Sequence, residues 1–155
     1  MISWKEFSQL NPDWATAAER LRLQPGSTPD QDGIGFIATV ARDGRPRMAP
    51  VCPIFTMGNL WLSVSRRTVK AHDLQNDGRY TIHAFLGEND EEFQISGSAR
   101  IVENDKKKAD VQNAISFQYD PADLIFELNL ARAVWAYWIN PGQPGTRVVK
   151  QTWQS

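Results

Sequence analysis

Three cations and two hydroxyls fall within six residues, Ser65-Arg66-Arg67-Thr68-Val69-Lys70, where an apolar run (60–65, LWLSVS) gives way to helical spacing (68–76, TVKAHDLQN). Cations at a helix start oppose the macrodipole, at a cost of about 0.3–1 kcal/mol each, unless an anion sits between. Free backbone N–H groups, guanidinium and ammonium groups and the Ser65 and Thr68 hydroxyls would together suit a phosphate group. The alternative is a charged loop exposed to water; the placement of the cations favours the phosphate site. Arg45 and Arg47 flank Pro46 on the preceding strand, which is expected to lie beside 60–65 in a meander. Arg47 and Ala49 share a face on period-two alternation, so Arg47 is the better inward candidate.

Other reactive side chains point elsewhere. His72 and His83 have no Cys, Asp or Glu at metal-ligand spacing and read as structural or surface residues. Cys52, beside Pro53, reads as a small buried hydrophobe rather than a nucleophile. Lys106, Lys107 and Lys108 form a charge run at a helix start, read as a solvated face. Trp4 and Trp14 are expected to pack an N-terminal helix onto the body of the fold.

The elements that must position these groups follow from periodicity. Residues 3–23 carry Trp4, Phe7, Leu10, Trp14, Ala17, Ala18 and Leu21 at three- and four-residue spacing, a helical pattern that Pro12 breaks in two. Residues 24–33 (QPGSTPDQDG) read as a loop. Strands are expected at 33–41 and 46–56 around the Asp43-Gly44 hairpin signal, then at 60–65 after a second turn. A short helix over 68–76 ends at Asp77-Gly78. Another strand pair spans 80–86 and 93–102, with Gly97 marking a bulge or barrel corner. Residues 105–119 read as a helix with Asp105 as a possible N-cap, and 121–127 as a helical turn or loop. Strands at 130–139 and 146–153 close the chain across a Pro- and Gly-rich turn. The expected class is mainly β with helices (α+β): a single domain holding an antiparallel six-stranded split barrel, an N-terminal helical preface over 1–24 and inserted helices.

Composition limits the partners. The chain has 155 residues, 41% hydrophobic and 23% charged, enough for one self-sufficient core. With 17 basic against 18 acidic residues, no global field attracts nucleic acid or an anionic membrane. One cysteine excludes an internal disulfide and a multi-thiolate metal site within one chain, and a reducing, cytoplasmic setting is expected. No stretch reads as a signal peptide or membrane span.

The order of elements, and three motifs within it, resemble the FMN-binding split barrel of the pyridoxamine 5′-phosphate oxidase family over roughly residues 33–103, and more weakly to 140. The motifs are the DG hairpin leading into RPRMAPVCPIF, the x-L-x-S strand with its basic turn and Lys-Ala-x-x-L, and Asp77-Gly78-Arg79 before the next strand. The resemblance implies FMN as cofactor. Its phosphate would be held at the matching positions Arg47, Ser63, Ser65, Arg66, Arg67, Thr68 and Lys70, with the roles of Arg66, Arg67 and Thr68 left open. The flavin ring would lie along Met48, Ala49, Pro50 and Val51, with Val51 a candidate donor because Pro50 has no N–H. It also implies a homodimer with FMN at the subunit interface, where Gln94, Trp135 and Trp138 are candidates to complete the partner's pocket. The C-terminal GTRVVKQTWQS lacks the histidine of the oxidases' substrate-phosphate segment, so pyridoxamine phosphate itself is not implied.

The function expected is therefore that of an FMN-dependent oxidoreductase acting on a small molecule or NAD(P)H, with no catalytic side chain named because hydride transfer belongs to the cofactor. A non-catalytic flavin carrier, a haem-binding protein and a reductase using the deazaflavin F420 are the alternatives on this fold.

Overall fold

The computed structural model describes residues 1–24 and 32–155. Most of the loop expected over 24–33 lies outside the described residues. Two short helices open the chain, α1 (Trp4–Leu10) and α2 (Pro12–Arg20). Ser3 and Glu6 form a reciprocal capping box at the start of α1. Pro12 divides the helical pattern because it sits in the first turn of α2, where its missing N–H costs nothing. Trp4 and Phe7 are fully buried, and Trp14 packs edge-on against Phe93 and Trp135. The preface is thus part of the core.

Among the described residues eight antiparallel strands follow: β1 (Gly35–Val40), β2 (Pro46–Val51), β3 (Ile54–Thr56), β4 (Asn59–Val64), β5 (Arg79–His83), β6 (Glu92–Ile101), β7 (Leu124–Ile139) and β8 (Arg147–Gln154). Helix α3 (Val69–Asn76) joins β4 to β5, and α4 (Asp105–Gln112) lies between β6 and β7. The hydrogen-bonded order is β2-β1-β5-β6-β7-β4-β3. Strand β7 is long enough to pair with β4 through Leu124–Leu128 and with β8 through Arg132–Ile139. Because β2 and β3 end opposite edges of this path yet are joined by only Cys52 and Pro53, the sheet must curl until those edges meet. The result is a split barrel. Ile37, Leu60, Leu62, Ile82, Phe93, Ile95, Phe126 and Leu128 fill it, and a smaller cluster of Ile54, Trp61, Val111 and Ile125 packs beneath α4.

Several expectations change. The segment 46–56 is two strands, because Pro53 cannot donate to a ladder and the chain leaves the β1 edge there for β4. Strands β2 and β4 therefore face each other across the split and are not paired neighbours in a meander. Cys52, at that crossing, is exposed rather than buried. Helix α4 ends at Gln112, seven residues early, and its cap is Asn104, whose side chain accepts the Lys107 N–H at 2.8 Å. Strand β7 begins at Leu124, inside the segment read as turn or loop. Gly97 behaves as expected: the β6–β7 register shifts between Ser96 and Gly97, where a Cβ would collide with the Asn129 carbonyl. Among the described residues no helix is long and apolar enough to cross a membrane.

Candidate functional site

The split between β2 and β4 is bridged by the first turns of α3. Thr68 caps this helix: its hydroxyl lies 3.4 Å from the Ala71 N–H and donates to the Ser65 carbonyl at 2.8 Å. No acidic residue occupies the first turn. The positive end of the helix is therefore uncompensated by its own sequence.

Two clamps run from α3 to β2. Lys70 donates its ammonium to the Pro50 carbonyl at 2.8 Å, and Arg47 donates to both carboxylate oxygens of Asp73 at 3.2 and 3.5 Å. Asp73 is 4% exposed and also accepts the Thr39 hydroxyl at 2.9 Å. Lys70 is half-buried, and burial lowers its pKa below the usual lysine value, partly offset by Cys52. Among the described residues it pairs with no carboxylate. A partly desolvated ammonium satisfied only by a neutral carbonyl, at the positive end of a helix, favours an anion beside it.

The remaining turn residues divide. Ser65 and Arg67 are exposed, and among the described residues neither side chain has a hydrogen-bond partner. Arg66 turns away, donating to the Ala122 carbonyl at 2.6 Å, and Ser63 approaches Asp123 at 3.4 Å. These two anchor the turn to the segment that leads into β7. Asp77, from the Asp-Gly-Arg motif, accepts both the backbone N–H and the guanidinium of Arg79, which holds its carboxyl at about 2. That motif shapes the exit from α3.

Along β2, Ala49 packs against the core and Val51 lies in it, on the face shared with Arg47, whereas Pro46, Met48 and Pro50 are exposed on the other. Met48 is 74% exposed. Register places Pro50, Phe36, His83 and Gln94 in one row on the outer face of the sheet, continued on β7 by the buried Val134. Phe36 stacks edge-on with Phe85 at 4.9 Å, and Trp138, 42% exposed, stands further along β7 on the Val134 side. Val64, which leads into the cation turn, pairs with Leu124 at the start of β7, whereas Gln94 pairs with Val134, ten residues further along that strand, and Trp138 lies fourteen residues along it. One chain does not bring them to the cation turn. Trp135 points inward, donating to Glu91 at 2.7 Å beside Trp14.

Sequence reasoning missed Asp73 and Thr39. Thr39 was accessible from the hairpin, since a register counted back from the Asp43-Gly44 turn sets it opposite Arg47. Asp73 stands one turn after Lys70, on the same side of α3.

No curated protein matches the chain. Among solved structures, a haem-binding protein from Mycobacterium smegmatis is 21% identical with a TM-score of 0.58, covering 88% of this chain and 57% of its own. The chain thus spans little more than half the length of that relative. A pyridoxamine 5′-phosphate oxidase-related, FMN-binding protein from Nostoc punctiforme is 15% identical with a TM-score of 0.57, covering 91% and 95% of the two chains. A NimC/NimA family protein from Clostridium acetobutylicum is 12% identical with a TM-score of 0.60, covering 90% and 94%. At these identities the likeness is one of fold. Residues 28–136 match the sequence pattern described as pyridoxamine 5′-phosphate oxidase, a span that takes in the hairpin carrying Arg47, the α3 turn and most of β7, and the chain belongs to that family.

Proposed function

We propose that this protein is an FMN-binding oxidoreductase that holds the flavin phosphate at the split between β2 and α3. The observation that carries the reading is Lys70: a half-buried ammonium at the start of α3, without a carboxylate partner among the described residues, facing the strand that holds Arg47. The donor set fits a phosphate monoester. Lys70, Arg67, the Thr68 and Ser65 hydroxyls and the N–H groups at the helix start would hold it, with Arg47 reaching from β2. Ser63 and Arg66 support the turn from behind, since their side chains face the segment before β7. When bound, the flavin supplies hydride and electron chemistry; the protein orients it and controls access. The ring would lie along Met48, Ala49, Pro50 and Val51.

The assembly proposed is a cytoplasmic homodimer. Exposed Met48, Phe36 and Phe85 leave an apolar face beside the site, and such faces mark interfaces. A second chain on that face would supply Gln94 and Trp138, which one chain keeps too far from its own turn. A small-molecule substrate or NAD(P)H would then reach the flavin from the interface.

Absorption and fluorescence of the purified protein test the reading. Flavin bands, or quenching of added FMN, are expected, with a dimer by light scattering; a colourless protein that ignores FMN overturns it. Haem is the second reading, favoured by His83, which stands in the outer row between Phe36 and Gln94. A Soret band would select it.

A further inference from the structure

Asp73 is a buried carboxylate whose described partners are one hydroxyl, Thr39, and one cation, Arg47. A carboxylate that is 4% exposed requires such partners, since an unpaired buried charge is strongly destabilising. The guanidinium it holds is different: Arg47's side chain remains 44% exposed, and only Nη1 is engaged by Asp73. Among the described residues Nε and Nη2 have no partner, in a fork whose orientation is set from behind. The same helix places Lys70 one turn earlier against Pro50, so α3 grips β2 at residues 47 and 50 through residues 73 and 70. Thr39, opposite Arg47 in the β1–β2 ladder and 3% exposed, locks the carboxylate from below.

We infer that Asp73 is a positioning residue that fixes Arg47 for recognition of the phosphate monoester. The inference rests on the reading that the phosphate sits at this split. Two effects of Asp73 oppose each other there. Its negative charge weakens the field on a phosphate, whereas its grip on Arg47 removes rotamers that the long side chain would otherwise lose on binding. The carboxylate is already neutralised by Arg47 and lies behind it, so the grip dominates. A purely electrostatic role predicts tighter FMN binding once Asp73 is neutralised; a positioning role predicts weaker binding.

The experiment measures FMN and riboflavin affinities by fluorescence for the full-length parent, Lys70→Ala, Arg47→Ala, Asp73→Asn and the Arg47→Ala/Asp73→Asn double variant. Riboflavin lacks the phosphate, so the FMN-to-riboflavin affinity ratio isolates that group. Asp73→Asn is expected to lower the ratio about tenfold, the scale of one charge-assisted hydrogen bond, with no further loss in the Arg47→Ala background. A ratio unchanged or raised in Asp73→Asn overturns the inference, and so does an equal loss with and without Arg47. Should Asp73→Asn fail to fold, Thr39→Val carries the same comparison, with a smaller drop that must likewise vanish without Arg47. Failure of the underlying reading looks different: Lys70→Ala would leave the ratio at the parent value.

Discussion

Two helices of this protein begin among cations, and only one of them is balanced. At α4, Asn104 caps the helix, Asp105 stands in the first turn, and Lys107 pairs with Glu127 at 2.9 Å while lying 4.8 Å from the Trp61 ring centroid. Lys107 thus has a counterweight, and Lys106 faces water. At α3 the first turn has no acid, Lys70 finds only a carbonyl, and Arg67 is exposed. The sequences look alike, RRTVK against DKKKAD. Counting cations therefore does not separate the two helix starts; finding which of them lack a counter-charge does.

The strongest way to break the comparison is Lys70→Ala. Removing one charge-assisted contact is expected to weaken FMN binding roughly ten- to a hundredfold, from about 1.5–3 kcal/mol per such bond, while barely changing riboflavin affinity. Fluorescence titration reads both; equal effects on the two flavins would place the phosphate elsewhere.

A pH series sharpens the same point without mutation. Burial lowers the Lys70 pKa from 10.5, so the folded protein favours the neutral amine more than an ordinary lysine does. A bound phosphate favours the ammonium, and the phosphate is itself fully ionised well above its second pKa of about 6. The FMN-to-riboflavin affinity ratio is thus expected to fall as pH rises through the Lys70 pKa, in a window opening below 10.5, since the ring ionisation that both flavins share at high pH cancels in the ratio. Lys70→Ala should abolish the slope.

Giving α3 the acid that α4 already has is the next test. Val69 is exposed in the first turn, and Val69→Glu would stabilise the ligand-free helix by about 0.3–1 kcal/mol through the macrodipole. The same carboxylate would repel a phosphate by about 1 kcal/mol at close range in water, so FMN affinity should fall roughly fivefold as the unliganded protein gains stability. Urea denaturation and titration, taken together, should move in opposite directions.

What the sequence disclosed was local. The Asp43-Gly44 hairpin, the Thr68 start and Asp77 end of α3 and the Gly97 bulge are each written in a few residues whose backbone chemistry admits few alternatives. The break at Cys52-Pro53 was obscured because an apolar stretch with prolines on both sides of a cysteine reads equally as one edge strand; only the long-range pairing with β4 decides it. The run Leu124–Phe126 suffers the same ambiguity, being apolar on both faces because it is covered by the barrel core on one side and the α4 cluster on the other. At the site, the cations were legible as a misplaced charge, whereas Asp73 looked like an ordinary polar helix residue. Its meaning depends on Thr39 and Arg47, 34 and 26 positions away.

Lys107→Ala gives the smallest effect and tests the balanced half of the comparison. Its ammonium holds Glu127, whose other oxygen accepts from the Asn59 side-chain amide, and Asn59 Oδ1 accepts the Trp4 and Leu60 N–H groups. The chain of contacts ties α4, β7, β4 and α1 together, so Lys107 acts on stability. Both ion-pair partners retain solvent contact, which limits the pair and its cation–π contact to about 0.5–1 kcal/mol. For a domain of this size that corresponds to a melting shift of about 1–4 °C. Lys106→Ala, exposed beside it, should shift nothing. FMN affinity should match the parent in both, because a charge already answered by Glu127 and Trp61 adds little field at a distant phosphate, and salt screens what remains. A loss of FMN affinity in Lys107→Ala comparable to that in Lys70→Ala would mean that net charge, rather than the absence of a counter-charge at α3, governs binding.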